Sequence, residues 1–313
     1  MRILVTGAGG FIGSSLCEEL LKNPDVDVTG IDFFLGHTKK SIAKRNIIDL
    51  LKHPRFQFIE KNLLQLDDFK LLKNIDYVYH LAGIPGVRSS WGEDFKKYAD
   101  HNIIMTQRLL EACRIYPVRK FIFASTSSVY GEQKGMVSER VQTKPLSPYG
   151  MTKLACEHLC HIYNKNFQIP TVILRYFTVY GPKQRTDMAF HKFIKSILED
   201  KPIVIYGDGK QTRDFTYIDD CTKATASVVF ANNVIGETIN IGGKERASVL
   251  EIINILEEIF NKQIIITHHA ESKGEPKHTW ADISKAQLLL NYSPQVPLKD
   301  GIKQEVDYIK YLY

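Results

Sequence analysis

The chain of 313 residues has no hydrophobic run approaching the roughly 20 residues that span a bilayer, and it opens without a charged, then apolar, leader. Both absences point to the cytoplasm and away from a membrane partner. Cysteine is scarce and odd in number: Cys17, Cys113, Cys156, Cys160 and Cys221 form no Cys-x-x-Cys pair and no Cys/His spacing of a metal site. They read as reduced core thiols, Cys156 and Cys160 falling one helical turn apart beside apolar neighbours. The histidines show no clustered ligand spacing either, so no metal is expected. Lys and Arg exceed Asp and Glu by 41 to 35, but the net +6 is spread along the chain with no basic arm for nucleic acid. Repeats, low-complexity tracts and Pro/Ser linkers are also missing, so any two parts of the chain pack closely. The hydrophobic content of 44% is ordinary for a globular protein, and the length suffices for a large core.

What the chain does have is Val5-Thr-Gly-Ala-Gly-Gly-Phe-Ile-Gly13, directly after the apolar run Ile3 to Val5 and directly before a helical pattern from Phe11 to Leu21. Gly7, Gly10 and Gly13 permit a tight turn, close approach of backbone to a pyrophosphate, and close packing of helix on strand. The helix N-terminus then presents unpaired N–H groups to the phosphates. A second apolar run from Val26 to Ile31 ends in Asp32, a position from which a carboxylate accepts from ribose hydroxyls and repels a 2′-phosphate. The reading is NAD, not NADP.

Short apolar runs alternate with helical patterns: Arg2 to Val5, Asp27 to Ile31, Phe56 to Ile59, Tyr77 to Leu81, Lys120 to Ala124 and Thr171 to Leu174. Such alternation predicts an α/β fold, a doubly wound parallel sheet of Rossmann type with ligands at the carboxyl ends of its strands. Gly7, Asp32, Ala82, Thr126 and Tyr176 all fall just past a predicted strand. After about residue 180 turn-rich short elements take over, which predicts an NAD-binding domain over 1–180 and a smaller C-terminal α/β substrate-binding domain, mainly 181–313, with the chain free to recross. Tyr149 and Lys153 form a Tyr-x-x-x-Lys pair on one helix face, where the ammonium is expected to draw the phenol pKa down from about 10.

These motifs resemble the extended short-chain dehydrogenase/reductase family, in its nucleotide-sugar epimerase and dehydratase branch. The resemblance runs through His80-Leu-Ala-Gly83, Phe123-Ala-Ser-Thr-Ser-Ser-Val-Tyr-Gly131, Pro148-Tyr-Gly-Met-Thr-Lys153, Leu174-Arg-Tyr-Phe-Thr-Val-Tyr-Gly-Pro182 and the segment Gly207 to Asp219. It implies Tyr149 as acid/base, Lys153 on the nicotinamide ribose and Thr126 on the reacting sugar oxygen. It implies further cofactor contacts at Phe11, Ile12, Asn62, Leu63, Leu81, Ala82, Gly83 and Tyr176. Two positions depart from the family pattern, Asn62 for an Asp beside the adenine and Met105 for a Gly. Both touch cofactor packing. A homodimer built on the helices around Asn102 to Cys113 and Tyr149 to Asn164 is implied by the same analogy.

Within that branch, 4,6-dehydratases carry an acidic pair after the Thr, and decarboxylating relatives keep a Glu there. This chain has Ser127-Ser128, which cannot do that acid/base work. C4 epimerisation remains, with a transient 4-keto sugar and an NAD that is regenerated in each turnover and so stays tightly bound. The segment around Thr178 and Arg185-Thr-Asp-Met-Ala-Phe190 resembles UDP-glucuronate 4-epimerases, with Ser127, Ser128 and Thr178 as neutral donors to a carboxylate. Arg185 is read as a ligand of the carboxylate, of uracil or of phosphate. Arg88 and Arg213 suit the diphosphate, either alternatively being a surface ion-pair partner. Glu275 stands where relatives touch the uridine ribose, and Ser272 where neutral-sugar epimerases hold an Arg. The alternatives to a UDP-hexuronate epimerase are a UDP-glucose 4-epimerase and an NAD-binding sensor without chemistry.

Overall fold

The computed structural model describes residues 1–36, 38–66, 68–271 and 273–313, so Ser272 lies outside the described residues. The first half contains β1 (Arg2–Thr6), α1 (Phe11–Leu21), β2 (Asp27–Asp32), α2 (Lys40–Arg45), β3 (Phe56–Glu60), β4 (Tyr77–His80), α3 (Phe95–Tyr98), α4 (Met105–Ile115), β5 (Lys120–Thr126), α5 (Pro148–Phe167) and β6 (Thr171–Tyr176). The second contains β7 (Thr178–Tyr180), α6 (Ala189–Leu198), β8 (Ile203–Tyr206), β9 (Thr212–Tyr217), α7 (Ile218–Ser227), β10 (Thr238–Ile241), β11 (Glu245–Ser248), α8 (Val249–Phe260), β12 (Ile266–His269), α9 (Ser284–Leu290) and α10 (Leu298–Leu312).

Seven strands form one parallel sheet in the order β10-β6-β5-β4-β1-β2-β3. The order reverses between β1 and β4, and in open α/β sheets that switch point opens a crevice at the carboxyl edge. Strand alternation assigns the core to two faces. Ile3, Val5, Ile122, Val172 and Leu174 join one cluster with Leu16 of α1 and Cys221 of α7, whereas Leu4, Phe121, Phe123 and Ile173 join the other with Leu109 of α4 and Cys160 of α5. Helices on both faces explain why every residue of β4 and β6 is buried. Burying one such aliphatic side chain stabilises the fold by about 1.5–3 kcal/mol.

The chain recrosses. Residues of α7 pack on α1, and β10 pairs with β6 through Thr238 and Ile173, so the sheet's last strand comes from beyond residue 181. The smaller unit holds the mixed sheet β11-β9-β7 and the parallel pair β12-β8, with α6, α8 and α10 around them. β5 and β6 run two residues past their predicted ends, so Thr126 and Tyr176 close their strands instead of following them. Asn102 lies in a π-helical turn, Ala99–Ile104, ahead of the regular helix α4. All five thiols are free and buried. No helix among the described residues is long and apolar enough to cross a membrane.

Candidate active site

A cleft of about 970 Å³ runs along the carboxyl edge of the sheet into the smaller unit. Gly7 (φ +75°), Gly10, Phe11, Ile12 and Gly13 form its floor near β1. A Cβ on Gly13 would stand 2.0 Å from the Gly7 carbonyl oxygen, and one on Gly7 would stand 2.8 Å from the Ala82 nitrogen. Neither glycine admits a side chain. No side chain caps α1 and no acidic residue sits in its first turn, which leaves its N–H groups and dipole for an anion. Asp32 accepts from Gly9 N at 2.9 Å and Phe34 N at 2.7 Å; those bonds oppose burial, which pushes its pKa up. Asn62 Oδ1 accepts from Leu64 N at 3.0 Å, and Asn62 and Leu63 border the cleft beyond Asp32. The residues present thus fit a dinucleotide.

Leu81, Ala82 and Gly83 continue the wall on the other side of β1. Ala82 N donates to Thr6 Oγ1 at 3.1 Å, and Thr6 meets His80 Nδ1 at 2.8 Å. His80 Nε2 lies 3.0 Å from Thr106 Oγ1, whose hydrogen goes to the Asn102 carbonyl at 2.6 Å. Hence Nε2 carries the ring hydrogen and Nδ1 accepts from Thr6. Burial pushes the His80 pKa down to about 3, so this ring is a neutral prop behind the loop.

Tyr149 and Lys153 enter from α5. Ser147 caps that helix, accepting from Gly150 N at 3.1 Å, with Pro148 in its first turn. A Cβ on Gly150 would stand 2.6 Å from Ser128 O, a close approach that brings the helix start against the end of β5. Thr126 Oγ1 accepts from Ser128 N at 3.1 Å. Tyr149 is partly exposed on the cleft wall, and its ring meets Tyr98 edge-on with centroids 6.2 Å apart. Burial raises the phenol pKa, while the Arg185 charge and the Thr126 hydroxyl pull it down. Lys153 Nζ lies 4.1 Å over the Phe123 ring, and burial pushes its own pKa down.

Ser127, Ser128, Thr178 and Arg185 border the same cleft as Tyr149 and Tyr176. Arg185 forks onto Asp187 at 2.9 and 3.0 Å, so its charge is partly balanced. At the far end, Glu275 accepts from Arg88 Nε at 2.7 Å and lies 3.5 Å from Arg213 Nη2. Arg88 also lies over the Tyr206 ring at 4.1 Å. Arg88 is therefore at once a cleft residue and an ion-pair partner. Sequence reasoning missed Tyr206, Phe34 and Lys183, which also line the cleft. No local pattern marks them. Asn102 had a signal in its spacing to Met105 and Thr106, and its side chain bonds Ile84 N at 2.7 Å and Thr152 Oγ1 at 3.0 Å.

Residues 3–242 match the model of the NAD dependent epimerase/dehydratase family. A Bacillus cereus UDP-glucuronic acid 4-epimerase, solved with UDP-glucuronic acid and NAD, is 60% identical with TM-score 0.99, and each chain covers 100% of the other. A tyrosine-to-phenylalanine variant of that enzyme, bound to NAD and a 4-deoxy-4-fluoro analogue, superposes equally well, with TM-score 0.99. A UDP-glucuronate 4-epimerase of Thermodesulfobacterium geofontis is 40% identical over 98% of this chain and 95% of its own. A Bacillus subtilis protein named an uncharacterised UDP-glucose epimerase is 56% identical over 100% of this chain and 99% of its own. Glycine loop, Tyr-x-x-x-Lys pair and parallel sheet agree with these matches, and the chain belongs to the NAD dependent epimerase/dehydratase family.

Proposed function

We propose that the chain interconverts UDP-glucuronate and UDP-galacturonate by epimerisation at C4, through a transient 4-keto sugar and without loss of the carboxyl group. One observation carries the reading. The cleft that Tyr149 borders also carries the hydroxyls of Ser127, Ser128 and Thr178 and the Arg185 guanidinium, and no carboxylate directly follows Thr126 to drive an elimination. The 60% identical enzyme was solved with UDP-glucuronic acid, which supports the same substrate.

Bound NAD supplies the acceptor for the C4 hydride and returns it to the opposite face. Tyr149 takes the proton of the 4-hydroxyl as the ketone forms and returns it after the sugar has turned over. Thr126 hydrogen-bonds the same oxygen, and Lys153 steadies the nicotinamide ribose. Arg88 and Arg213 take the diphosphate, a forked guanidinium matching paired phosphate oxygens, while Glu275 is released towards the uridine ribose. Residues 1–180 carry most of the cofactor half and 181–313 most of the UDP-sugar half.

Because the cofactor is restored in each cycle, it stays bound between turnovers. Ile104, Met151 and Ile162 are exposed apolar residues on the π-helical turn before α4 and on α5, which supports a homodimer through those helices. Five free buried thiols suit a reducing cytoplasm. Purified protein given UDP-glucuronate and no added NAD should form UDP-galacturonate, resolved by chromatography, with no carbon dioxide released. The name of the Bacillus subtilis relative favours UDP-glucose as a second reading, and turnover confined to UDP-glucose would establish it.

A further inference from the structure

The face of α5 that carries Tyr149 and Lys153 continues one turn on to Glu157, since residues four apart share a helix face. Glu157 is buried and does not line the cleft. Its Oε1 accepts from Ser125 Oγ at 2.5 Å and from Arg175 Nε at 2.9 Å, and its Oε2 accepts from Arg175 Nη2 at 2.6 Å. Ser125, which itself borders the cleft, and Arg175 are register partners across β5 and β6, and the next pair along is Thr126 and Tyr176, both on the cleft wall. One carboxylate therefore ties the helix of Tyr149 to both strands, one residue short of Thr126.

Net stability does not account for this arrangement. The Arg175 and Glu157 side chains are 7% and 2% exposed, and taking such a pair out of water costs about as much as its attraction returns. Arg175 Nη1 lacks a conventional hydrogen-bond partner among the described residues, and the guanidinium rests over the Tyr130 ring at 4.6 Å. What an apolar pair cannot supply is one fixed geometry. A guanidinium forked on a carboxylate sets both the rise and the rotation of a helix against a strand.

We propose that Glu157 is a positioning residue for the epimerisation: through Ser125 and Arg175 it holds α5 so that Tyr149 and Thr126 address the same sugar oxygen. This rests on the reading of those two residues above. Displacing a reacting group by about 1 Å costs roughly 100-fold in rate.

The test is the double variant Glu157→Met with Arg175→Met, beside Ser125→Ala. The double variant should keep its melting temperature and resident NAD, because apolar replacement of a buried pair is usually neutral or stabilising. Its kcat on UDP-glucuronate should fall roughly 100-fold, while KM stays within about threefold. Ser125→Ala leaves the ion pair intact and should lower kcat about tenfold at unchanged KM and melting temperature. A stably folded double variant with kcat within about threefold of wild type would overturn the proposal, since the loss expected from misplacement is far larger. If the double variant does not fold, Ser125→Ala decides: unchanged kcat overturns the proposal, and a lower kcat at unchanged KM supports it. Wild-type protein inactive on UDP-glucuronate would instead refute the function proposed above, and the same variants would then be compared on the sugar nucleotide that is turned over.

Discussion

Lys153 holds its ammonium 4.1 Å above the centre of the Phe123 ring, on the strand that ends in Thr126. A buried cation over an aromatic face is held by the ring quadrupole. In the function proposed above, Tyr149 transfers the proton at the sugar and Lys153 anchors the cofactor.

Tyr149→Phe is accordingly expected to remove nearly all turnover while leaving UDP-sugar affinity near normal, because only the phenolic oxygen is lost. A general acid/base group contributes roughly 100- to 10,000-fold. Steady-state rates with calorimetric binding of UDP-glucuronate check both halves. A fall of less than about tenfold would move the base to another residue.

The parts of this site that could be read in the sequence are those whose partners are close in the chain. The glycine loop lies between its own strand and helix, and Tyr149 and Lys153 share one helix. The Lys153 contact could not be read this way, because spacing on a helix says which residues share a face and not where a long side chain ends. Phe123 reaches Lys153 only through packing of α5 on β5. The same holds for Glu157 with Arg175, for Arg88 with Glu275, and for β10, four residues whose strand pairing depends on β6. Strand ends blur because Ser125 and Arg175 are polar residues inside strands, held by Glu157, which lies far from both in the sequence.

Acid/base titration should respond to Arg185. Burial raises the Tyr149 pKa, and the Arg185 charge is the largest influence opposing it, followed by the Thr126 hydroxyl; Tyr98 and Cys156 act in the raising direction. The base works deprotonated, so activity climbs as pH passes upward through its pKa. Arg185→Met removes the opposing charge, raises that pKa further, and should move the acid limb of the kcat profile to higher pH. Arg185→Lys should keep more of the original profile. Running the series on UDP-glucose separates this effect from any loss of carboxylate binding, and an unmoved limb would show that Arg185 does not act on the phenol.

Cofactor retention depends on the glycine loop. Purified protein should contain NAD without its addition, measured by absorbance and mass after denaturation. Gly13→Ala should abolish retention, since its Cβ would stand 2.0 Å from the Gly7 carbonyl and must push the loop or the helix aside. Wild-type protein that is empty, active only with added NAD and steadily releasing NADH would contradict an internal redox cycle.

The hardest demand on the site is to keep the carboxyl group. The 4-keto form of a uronic acid is a β-keto acid, and it loses carbon dioxide once the bond to the carboxyl group aligns with the carbonyl π system. Retention therefore requires the carboxylate to be held against rotation. Ser127, Ser128, Thr178 and Arg185 border the same cleft as Tyr149, and the function proposed above assigns this task to them. Arg185 is already forked on Asp187, so it can supply charge without standing unpaired when the site is empty. Thr178→Ala and Arg185→Ala should each cost activity on UDP-glucuronate more than on UDP-glucose, by about 1–3 kcal/mol for a lost hydrogen bond to a charged group. The same variants should release measurable carbon dioxide and a UDP-pentose, because a carboxylate free to rotate reaches the alignment that the wild-type site denies it. Chromatography of the nucleotide products together with trapping of the released gas reads both effects. Equal losses on the acidic and the neutral sugar, with no decarboxylated product, would mean that these residues order the loop and that the carboxylate is held elsewhere.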